Sequence, residues 1–137
     1  MNWIEDMAFR TELNGHELIL DANGKVGGKD RGPRPKPLMM VALAGCTGMD
    51  VISILKKMRV AVDSFDIKIE GELMDEQPGK YTRMKIIYSF TGENLPEDKV
   101  NKAVTLSQDR YCGVSANYRD SMELGYEIRI NEGVISS

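Results

Sequence analysis

The sequence predicts an α+β fold in which helices pack against antiparallel sheet. Two segments, Phe65–Leu73 and Thr82–Thr91, alternate apolar and polar residues, which is typical of half-buried strands. Before them lies a long apolar run, Leu38–Ile54, which is too long for a single strand and indicates a helix. A chain of 137 residues has the length of one domain, so we expect a single domain over residues 1–137.

The N-terminal region predicts a β-hairpin followed by a polar arm. Strands are expected at Trp3–Phe9 and His16–Asp21, because Asn14-Gly15 between them is a strong hairpin signal. Residues 23–37 are rich in Gly, Lys, Arg and Pro, which favours an extended and mobile loop. The glycines of this loop lack the spacing of a phosphate-binding P-loop, so no nucleotide cofactor is expected.

The predicted first helix runs from Pro37 to Met58 and is apolar on nearly all faces. Proline suits the first turn of a helix, and Lys56 and Lys57 complement the helix dipole at the other end. A helix that is apolar all round must be covered by protein or by lipid. The carboxylate of Asp50 argues against a membrane span, so we expect the helix to be buried between the subunits of a homodimer.

The second half of the chain predicts two further elements. The two alternating strands are joined through Asp75–Gly79. A second helix is expected from Pro96 to about Tyr111, because acidic residues lie in its first turn and one of its faces is apolar. Cys112 falls at or just after the end of this helix. A final alternating strand at Tyr126–Ile130 completes the order ββ, helix, ββ, helix, β.

Composition excludes several classes of partner. The 18 basic and 21 acidic residues are balanced, and the basic residues form no stripe, so nucleic acid is not an expected partner. His16 is the only histidine, so no metal site is expected. The N-terminus lacks a signal-peptide pattern, which leads us to expect a cytoplasmic protein whose cysteines are free or transiently paired.

Cys46 and Cys112 are the only cysteines, and two lone thiols can form a dithiol that reduces a peroxide. Cys46 lies about two and a half turns inside its helix, where the dipole has largely decayed, so a nearby cation is needed to make it a reactive thiolate. Asp50, one turn later, would either oppose ionisation of Cys46 or hold an arginine in place. From the residues alone, Cys46 is better interpreted as a buried structural thiol, and Cys112 has the same alternative, although Arg110 and the helix end favour an exposed thiol there.

Two motifs resemble those of a known family. The segment Gly32–Leu55, with Leu-Ala-Gly-Cys-Thr-Gly-Met-Asp-Val around Cys46, resembles the central cysteine helix of the OsmC/Ohr family. The later segment Arg110–Ser115 resembles the family's second cysteine motif, and the resemblance spans essentially the whole chain, with a form similar to an OsmC-like branch. It implies an OsmC-like fold, an intertwined homodimer in which antiparallel sheets from both chains wrap around two long central cysteine-bearing helices.

The resemblance also implies an activity. Cys46 would attack the O–O bond of an organic hydroperoxide and become a sulfenic acid, Cys112 would resolve it as a disulfide, and a dithiol reductant would restore both thiols. The function implied is that of a thiol-dependent peroxidase in protection against oxidative stress, without a cofactor.

The sequence departs from the Ohr-type pattern at the start of the cysteine helix. Ohr-type members have an acidic residue there that orients an active-site arginine, whereas Lys36 and Pro37 occupy the matching positions here. The candidates for a thiolate-activating arginine are Arg34, Arg31 and Arg10. The alternative function is therefore a non-catalytic dimer of the same fold that binds an apolar small molecule in the cysteine cleft or acts in a stress response without turnover.

Overall fold

The computed structural model describes residues 1–137, which form two compact units, residues 1–41 and residues 42–137. There are seven strands and three α-helices, in the following order: β1 (Asn2–Glu5), β2 (Ala8–Leu13), β3 (His16–Leu20), α1 (Leu38–Lys57), β4 (Ser64–Leu73), β5 (Tyr81–Thr91), α2 (Glu97–Leu106), α3 (Gly113–Arg119), β6 (Glu123–Ile130) and β7 (Gly133–Ser136). Each unit has its own sheet, β1-β2-β3 in the first and β4-β5-β6-β7 in the second. The expectation of a single domain stays a prediction.

The first unit is a three-stranded antiparallel meander. The predicted hairpin turn is present, and the positive φ angles of Asn14 (53°) and Gly15 (80°) suit a two-residue turn of the type that matches strand twist. The prediction of one continuous strand over Trp3–Phe9 is wrong. The chain reverses at Asp6, whose φ is 48°, so that Trp3 pairs with Phe9 across the β1–β2 ladder.

The loop after β3 contains one short 3₁₀ turn at Gly24–Val26 and otherwise lacks helix and strand, as predicted. The side chain of Asn23 caps that turn by accepting a hydrogen bond from the backbone N–H of Lys25 at 3.0 Å. Gly28 lies against the backbone of Ala22, where an added Cβ would be 2.0 Å from the carbonyl oxygen. Only glycine fits at that position without moving the chain.

The four-stranded sheet of the second unit is mixed. β4 pairs with β5 and β6 pairs with β7 in antiparallel fashion, but β5 and β6 are parallel. The prediction of antiparallel sheet is therefore wrong at this one pair, because parallel strands need a long crossover and the helical connection between β5 and β6 supplies it. The central strand β5 contributes five nearly or fully buried residues to the core of this unit: Met84, Ile86, Ile87, Tyr88 and Phe90.

Helix α1 confirms the predicted cysteine helix to within one residue at each end. One stripe at four-residue spacing is buried, and it consists of Leu43, Thr47, Val51 and Leu55. Other faces stay open, with Val41 64% and Met49 77% exposed. By length and composition alone α1 is apolar enough to span a membrane, and 22% of its apolar stretch is buried within the chain. The exposed apolar face of α1 needs further cover.

The crossover between β5 and β6 carries more structure than the sequence predicts. The second helix ends at Leu106, where a π-helical turn, Ser107–Tyr111, continues it to the predicted end. The backbone N–H of Cys112 closes this turn on the carbonyl oxygen of Ser107 at 2.8 Å. Helix α3 and strand β7 were not predicted, because they are only seven and four residues long and lack a clear apolar period.

Candidate functional site

The structure brings Cys46 and Cys112 together, although 66 positions (112 − 46) separate them in the sequence. The two sulfurs and a carboxylate oxygen of Asp50 all lie within 4.8 Å of one another. Both cysteines are free thiols. Cys46 and Asp50 are one turn apart on the same face of α1, so the helix itself sets their spacing.

Cys112 lies at the junction of the π-helical turn and α3. It is 3% exposed, whereas Cys46 is half-buried. Cys112 is the N-cap of α3, and its sulfur accepts a hydrogen bond from the backbone N–H of Ser115 at 3.3 Å. Burial raises the pKa of Cys112 and the adjacent Cys46 raises it further, although hydrogen bonding from Ser115 opposes both effects. Cys112 is therefore a protonated thiol at neutral pH.

A buried chain of hydrogen bonds leads to the Asp50 carboxylate. The hydroxyl of Ser107 donates to Asp50 Oδ2 at 3.0 Å. Because that hydroxyl has one proton, Thr47 must donate in turn to Ser107 Oγ at 2.8 Å, and Tyr88 must donate to Thr47 Oγ1 at 2.7 Å. Gln108 Nε2 donates to Tyr88 at 2.7 Å and to Thr47 at 3.2 Å. Every donor in the chain is directed toward the carboxylate.

The positive charge of Arg119 at the far end and the burial of Tyr88 within the chain of hydrogen bonds agree with this direction. At the far end, Arg119 Nη2 donates to the backbone oxygen of Gln108 at 3.2 Å and to its side-chain oxygen at 3.4 Å. Burial raises the pKa of Tyr88, so its hydroxyl remains a donor at any physiological pH. The network ties α1, β5 and the π-helical turn together beside the two sulfurs.

Sequence reasoning missed Tyr88, Ser107, Gln108 and Arg119. One signal could have identified two of them, because Ser107 and Gln108 continue the spacing of the buried residues Val100, Ala103 and Val104 of α2. Polar residues on the buried face of a helix require partners, which marks them as members of a network. No comparable local pattern points to Arg119.

The predicted activating arginines all lie in the first unit, and each is paired with a carboxylate there. Arg10 Nε lies 3.3 Å from Glu17, and Arg34 binds Asp30 and the carbonyl oxygen of Gly32. Neither pair is buried. The role of these arginines toward Cys46 stays a prediction.

Arg31 is the most strongly held of the three. Its Nη2 lies 2.6 Å from Asp6 and 3.5 Å from Glu5, and its Nε lies 3.8 Å from Asp21. Although burial raises the pKa of Asp21, hydrogen bonds from three backbone N–H groups and the charge of Arg31 hold it below the usual value. Asp6, Glu5 and Asp21 thus orient this guanidinium without any acidic residue at the start of the cysteine helix.

A cavity of about 420 Å³ adjoins the site in the second unit. Asp50 forms part of its wall, so the carboxylate lies both beside the sulfurs and at the cavity surface. The other lining side chains are mainly apolar, with two lysines at the rim: Ser53, Ile54, Lys57, Met58, Lys102, Leu106 and Tyr111. The first unit has a separate apolar cavity of about 550 Å³ that includes Met7, Phe9 and Leu20 in its wall.

Comparison with known proteins finds a family model and several relatives that match this chain. Residues 27–127 match the family model described as OsmC-like protein. The chain is 29% identical over 131 residues to protein YhfA of Escherichia coli strain K12, a match that covers 95% of each chain. It is similar to the structure of a hypothetical protein from Aquifex aeolicus VF5, with 26% identity, a TM-score of 0.74, and coverage of 95% of this chain and 100% of that one.

The fold extends to more distant relatives. An organic hydroperoxide resistance protein from Elizabethkingia anophelis has a TM-score of 0.60 at 14% identity, with 96% of this chain and 99% of that chain covered. At that identity the similarity shows the fold alone. The predicted OsmC-like α+β fold is confirmed.

Proposed function

Because the chain belongs to the OsmC-like protein family, we propose that it is a thiol-dependent peroxidase that reduces organic hydroperoxides. The observation that carries the proposal is the pair of free thiols, Cys46 and Cys112, whose sulfurs lie within 4.8 Å of each other. Two thiols at this separation can form a disulfide after small side-chain movements. The spacing therefore suits a cycle between dithiol and disulfide.

The unequal burial of the two cysteines supports different roles. Cys46 is half-buried and can meet a substrate, so it is the proposed nucleophile. Its thiolate attacks one oxygen of the hydroperoxide, the O–O bond breaks, and the leaving alkoxide takes a proton to become an alcohol. Asp50 lies near both sulfurs and is the proposed base that accepts the Cys46 proton. It then donates this proton to the alkoxide.

Cys112 is the proposed resolving residue. Its sulfur attacks the sulfenic acid on Cys46, the S–OH bond breaks, and the hydroxide leaves as water with the Cys112 proton. The sum is one hydroperoxide and two thiols converted to one alcohol, one water and one disulfide. A dithiol reductant then exchanges with the disulfide and returns both cysteines to thiols.

The surroundings of the site support an organic substrate. The cavity beside Asp50 has apolar side chains in its wall, including Ile54, Met58 and Leu106. Apolar groups of a substrate gain free energy when they leave water for such a surface, whereas hydrogen peroxide has none to bury. We therefore propose a preference for organic hydroperoxides over hydrogen peroxide.

The exposed apolar face of α1 supports the proposed homodimer. Gly45, Gly48, Met49 and Ile52 line an open groove of about 430 Å³ between α1 and β4. A second copy of the chain in this groove would remove the apolar surface from water.

Steady-state consumption of cumene hydroperoxide and of hydrogen peroxide, with a dithiol as reductant, tests the function. We expect faster turnover of cumene hydroperoxide and complete loss of turnover in Cys46→Ser. Cys112→Ser should form the sulfenic acid, detected by a dimedone adduct, without the intramolecular disulfide. The outcome that contradicts the proposal is an equal peroxide consumption by wild type and Cys46→Ser.

The second candidate is a non-catalytic binding module of the same fold. One observation favours it: a carboxylate, Asp50, lies next to Cys46, and a negative charge disfavours the thiolate. This function predicts no turnover with any hydroperoxide, together with saturable binding of an apolar fluorescent probe. Binding that survives in Cys46→Ser while the wild type shows no turnover would establish it.

A further inference from the structure

We propose that Cys46, Asp50 and Cys112 form a binding site for a zinc ion. The site uses the same side chains as the proposed peroxidase, but the inference concerns the reduced protein and requires no peroxide activity. The expectation that metal is absent rested on the single histidine, which is exposed on β3 in the other unit. Two thiols and a carboxylate are a sufficient set of ligands without it.

The geometry suits a zinc ion. Zinc binds thiolate sulfur at about 2.3 Å and carboxylate oxygen at about 2.0–2.2 Å in a tetrahedral arrangement, which puts ligand atoms roughly 3.5–4 Å apart. The three ligand atoms already lie within 4.8 Å of one another. The ligand atoms therefore have to approach by about 1 Å at most. A fourth position remains for water, as in zinc sites with three protein ligands.

Two of the proposed ligands, Cys112 and Asp50, each accept a hydrogen bond from a residue outside the ligand set. The backbone N–H of Ser115 donates to the Cys112 sulfur at 3.3 Å, and the hydroxyl of Ser107 donates to Asp50 Oδ2 at 3.0 Å. Such outer donors orient metal ligands and stabilise their negative charge. The bond from Ser107 occupies one oxygen of Asp50 and leaves Oδ1 for the metal.

Electrostatics favours a soft dication over other occupants. Ionisation of both thiols beside Asp50 would place three negative charges in a half-buried cluster, and a dication compensates two of them. Sulfur ligands select zinc over magnesium or calcium, which prefer sites built only of oxygen.

Zinc and peroxide would compete for the same sulfur. Coordination uses the lone pair of Cys46 that would otherwise attack the O–O bond, so a bound ion protects the thiol from oxidation. The inferred role of the metal is therefore a reversible block of the redox site.

Titration of the reduced full-length chain under anaerobic conditions tests the site. Competition between the protein and a chromophoric chelator for Zn²⁺ gives the affinity, and Cd²⁺ serves as a probe because thiolate ligation produces an ultraviolet charge-transfer band. We expect one ion per chain. Cys46→Ser and Cys112→Ser should each weaken binding by about 100-fold or more, and Asp50→Asn by about tenfold, since even outer-shell changes cost 10–100-fold.

The controls separate a specific site from surface binding. Asp66→Asn removes an exposed carboxylate of β4 and should leave the affinity unchanged. Serine is itself a favourable N-cap residue, so Cys112→Ser keeps the start of α3. Unchanged Zn²⁺ affinity in both cysteine variants, or Cd²⁺ binding without the thiolate band, overturns the inference.

The zinc result and the peroxidase result are distinguishable. Binding that depends on the cysteines, in a protein without peroxide turnover, would retain the zinc site and reject the proposed function. Peroxide turnover without cysteine-dependent zinc binding would retain the proposed function and reject the zinc site.

Discussion

At the scale of single residues, the burial of Cys112 has a consequence for stability. Its pKa in the folded protein is raised, first by burial and then by Cys46, above the value of about 8.5 expected for an unfolded chain. When the pH rises past that value, the unfolded chain releases the proton first. The folded state therefore loses stability as the pH rises from about 8.5 until it reaches the folded pKa. Below about pH 8.5 the contribution of the Cys112 thiol to stability is fully present.

Urea unfolding of the reduced protein between about pH 7 and about pH 10 measures this effect. The free energy of unfolding of the wild type should fall more steeply above about pH 8.5 than that of Cys112→Ser, which has no thiol to titrate. Cys46→Ser is the matched control and should show a shallower fall than the wild type, since it removes one cause of the raised pKa. Parallel profiles for wild type and Cys112→Ser would contradict the assignment.

Activation of Cys46 is also decided by single side chains. If an arginine lowers its pKa, then Arg31→Met, Arg34→Met or Arg10→Met should slow alkylation of Cys46 at neutral pH and reduce peroxide turnover together. Arg31 is our first candidate, because three carboxylates fix its orientation. Equal alkylation rates in all three variants and the wild type would exclude arginine activation and favour the binding module.

At the scale of elements, the hydrogen-bond network determines how α1 meets the crossover. Thr47 accepts from Tyr88 and Gln108 and donates to Ser107, all in the buried interior. Thr47→Val keeps the shape of the side chain but removes the partner of two buried donors, on Tyr88 and Gln108, and of one buried acceptor, Ser107 Oγ. We expect a loss of about 1–3 kcal/mol in the free energy of unfolding for each group left unpaired.

Chemical denaturation of Thr47→Val checks this value, with Thr82→Val as control. Thr82 is exposed on β5, and its replacement should change stability by no more than about 0.5 kcal/mol. We also expect slower formation of the Cys46–Cys112 disulfide in Thr47→Val, because the network holds the helix of one sulfur against the turn that precedes the other. Equal stability of the two variants would show that the network is dispensable.

Local sequence patterns predict some elements of the fold and not others. The bounds of α1 follow from a long apolar run between Pro37 and a lysine pair. Those of β4 follow from strict alternation, and those of β5 from a similar alternation that is interrupted at Ile86-Ile87-Tyr88. The pitch of Ser107–Tyr111 could not be predicted in this way. A π-helical turn differs from an α-helical turn only in that each backbone N–H bonds to the carbonyl five residues back instead of four, and no side-chain period in the sequence marks this difference.

At the scale of the whole molecule, the open face of α1 predicts a dimer. Met49 is 77% exposed at a groove lined by apolar residues of α1 and β4, and such a surface is unfavourable in water. Sedimentation at micromolar concentration should give twice the chain mass. A stable folded monomer at that concentration would contradict the shared-interface hypothesis.

Two variants locate the interface. Met49→Lys puts a charge in the groove and should shift the protein toward monomer, because a charge is costly to bury without a partner. Asn101→Lys adds the same charge on the exposed face of α2 and should leave the mass unchanged. If both variants remain dimers, another surface forms the contact.

Local sequence patterns account for the elements that depend on neighbouring residues: the cysteine helix, the alternating strands, the Asn14-Gly15 turn and the α+β class. Side-chain period and turn chemistry are local properties, so they can be read from the chain. Resemblance to the OsmC/Ohr family identified both cysteines as one candidate site before any geometry was known.

Contacts between distant segments decide how those elements meet. The parallel pairing of β5 and β6 sets the path of the crossover, and this path brings Cys112 to within 4.8 Å of Cys46 and Asp50. Contacts between residues so far apart in the chain depend on how buried surfaces and hydrogen bonds are satisfied together, not on the residues next to each sulfur. The ligand set of the zinc site exists for the same reason, since no segment of the sequence contains all three of its members.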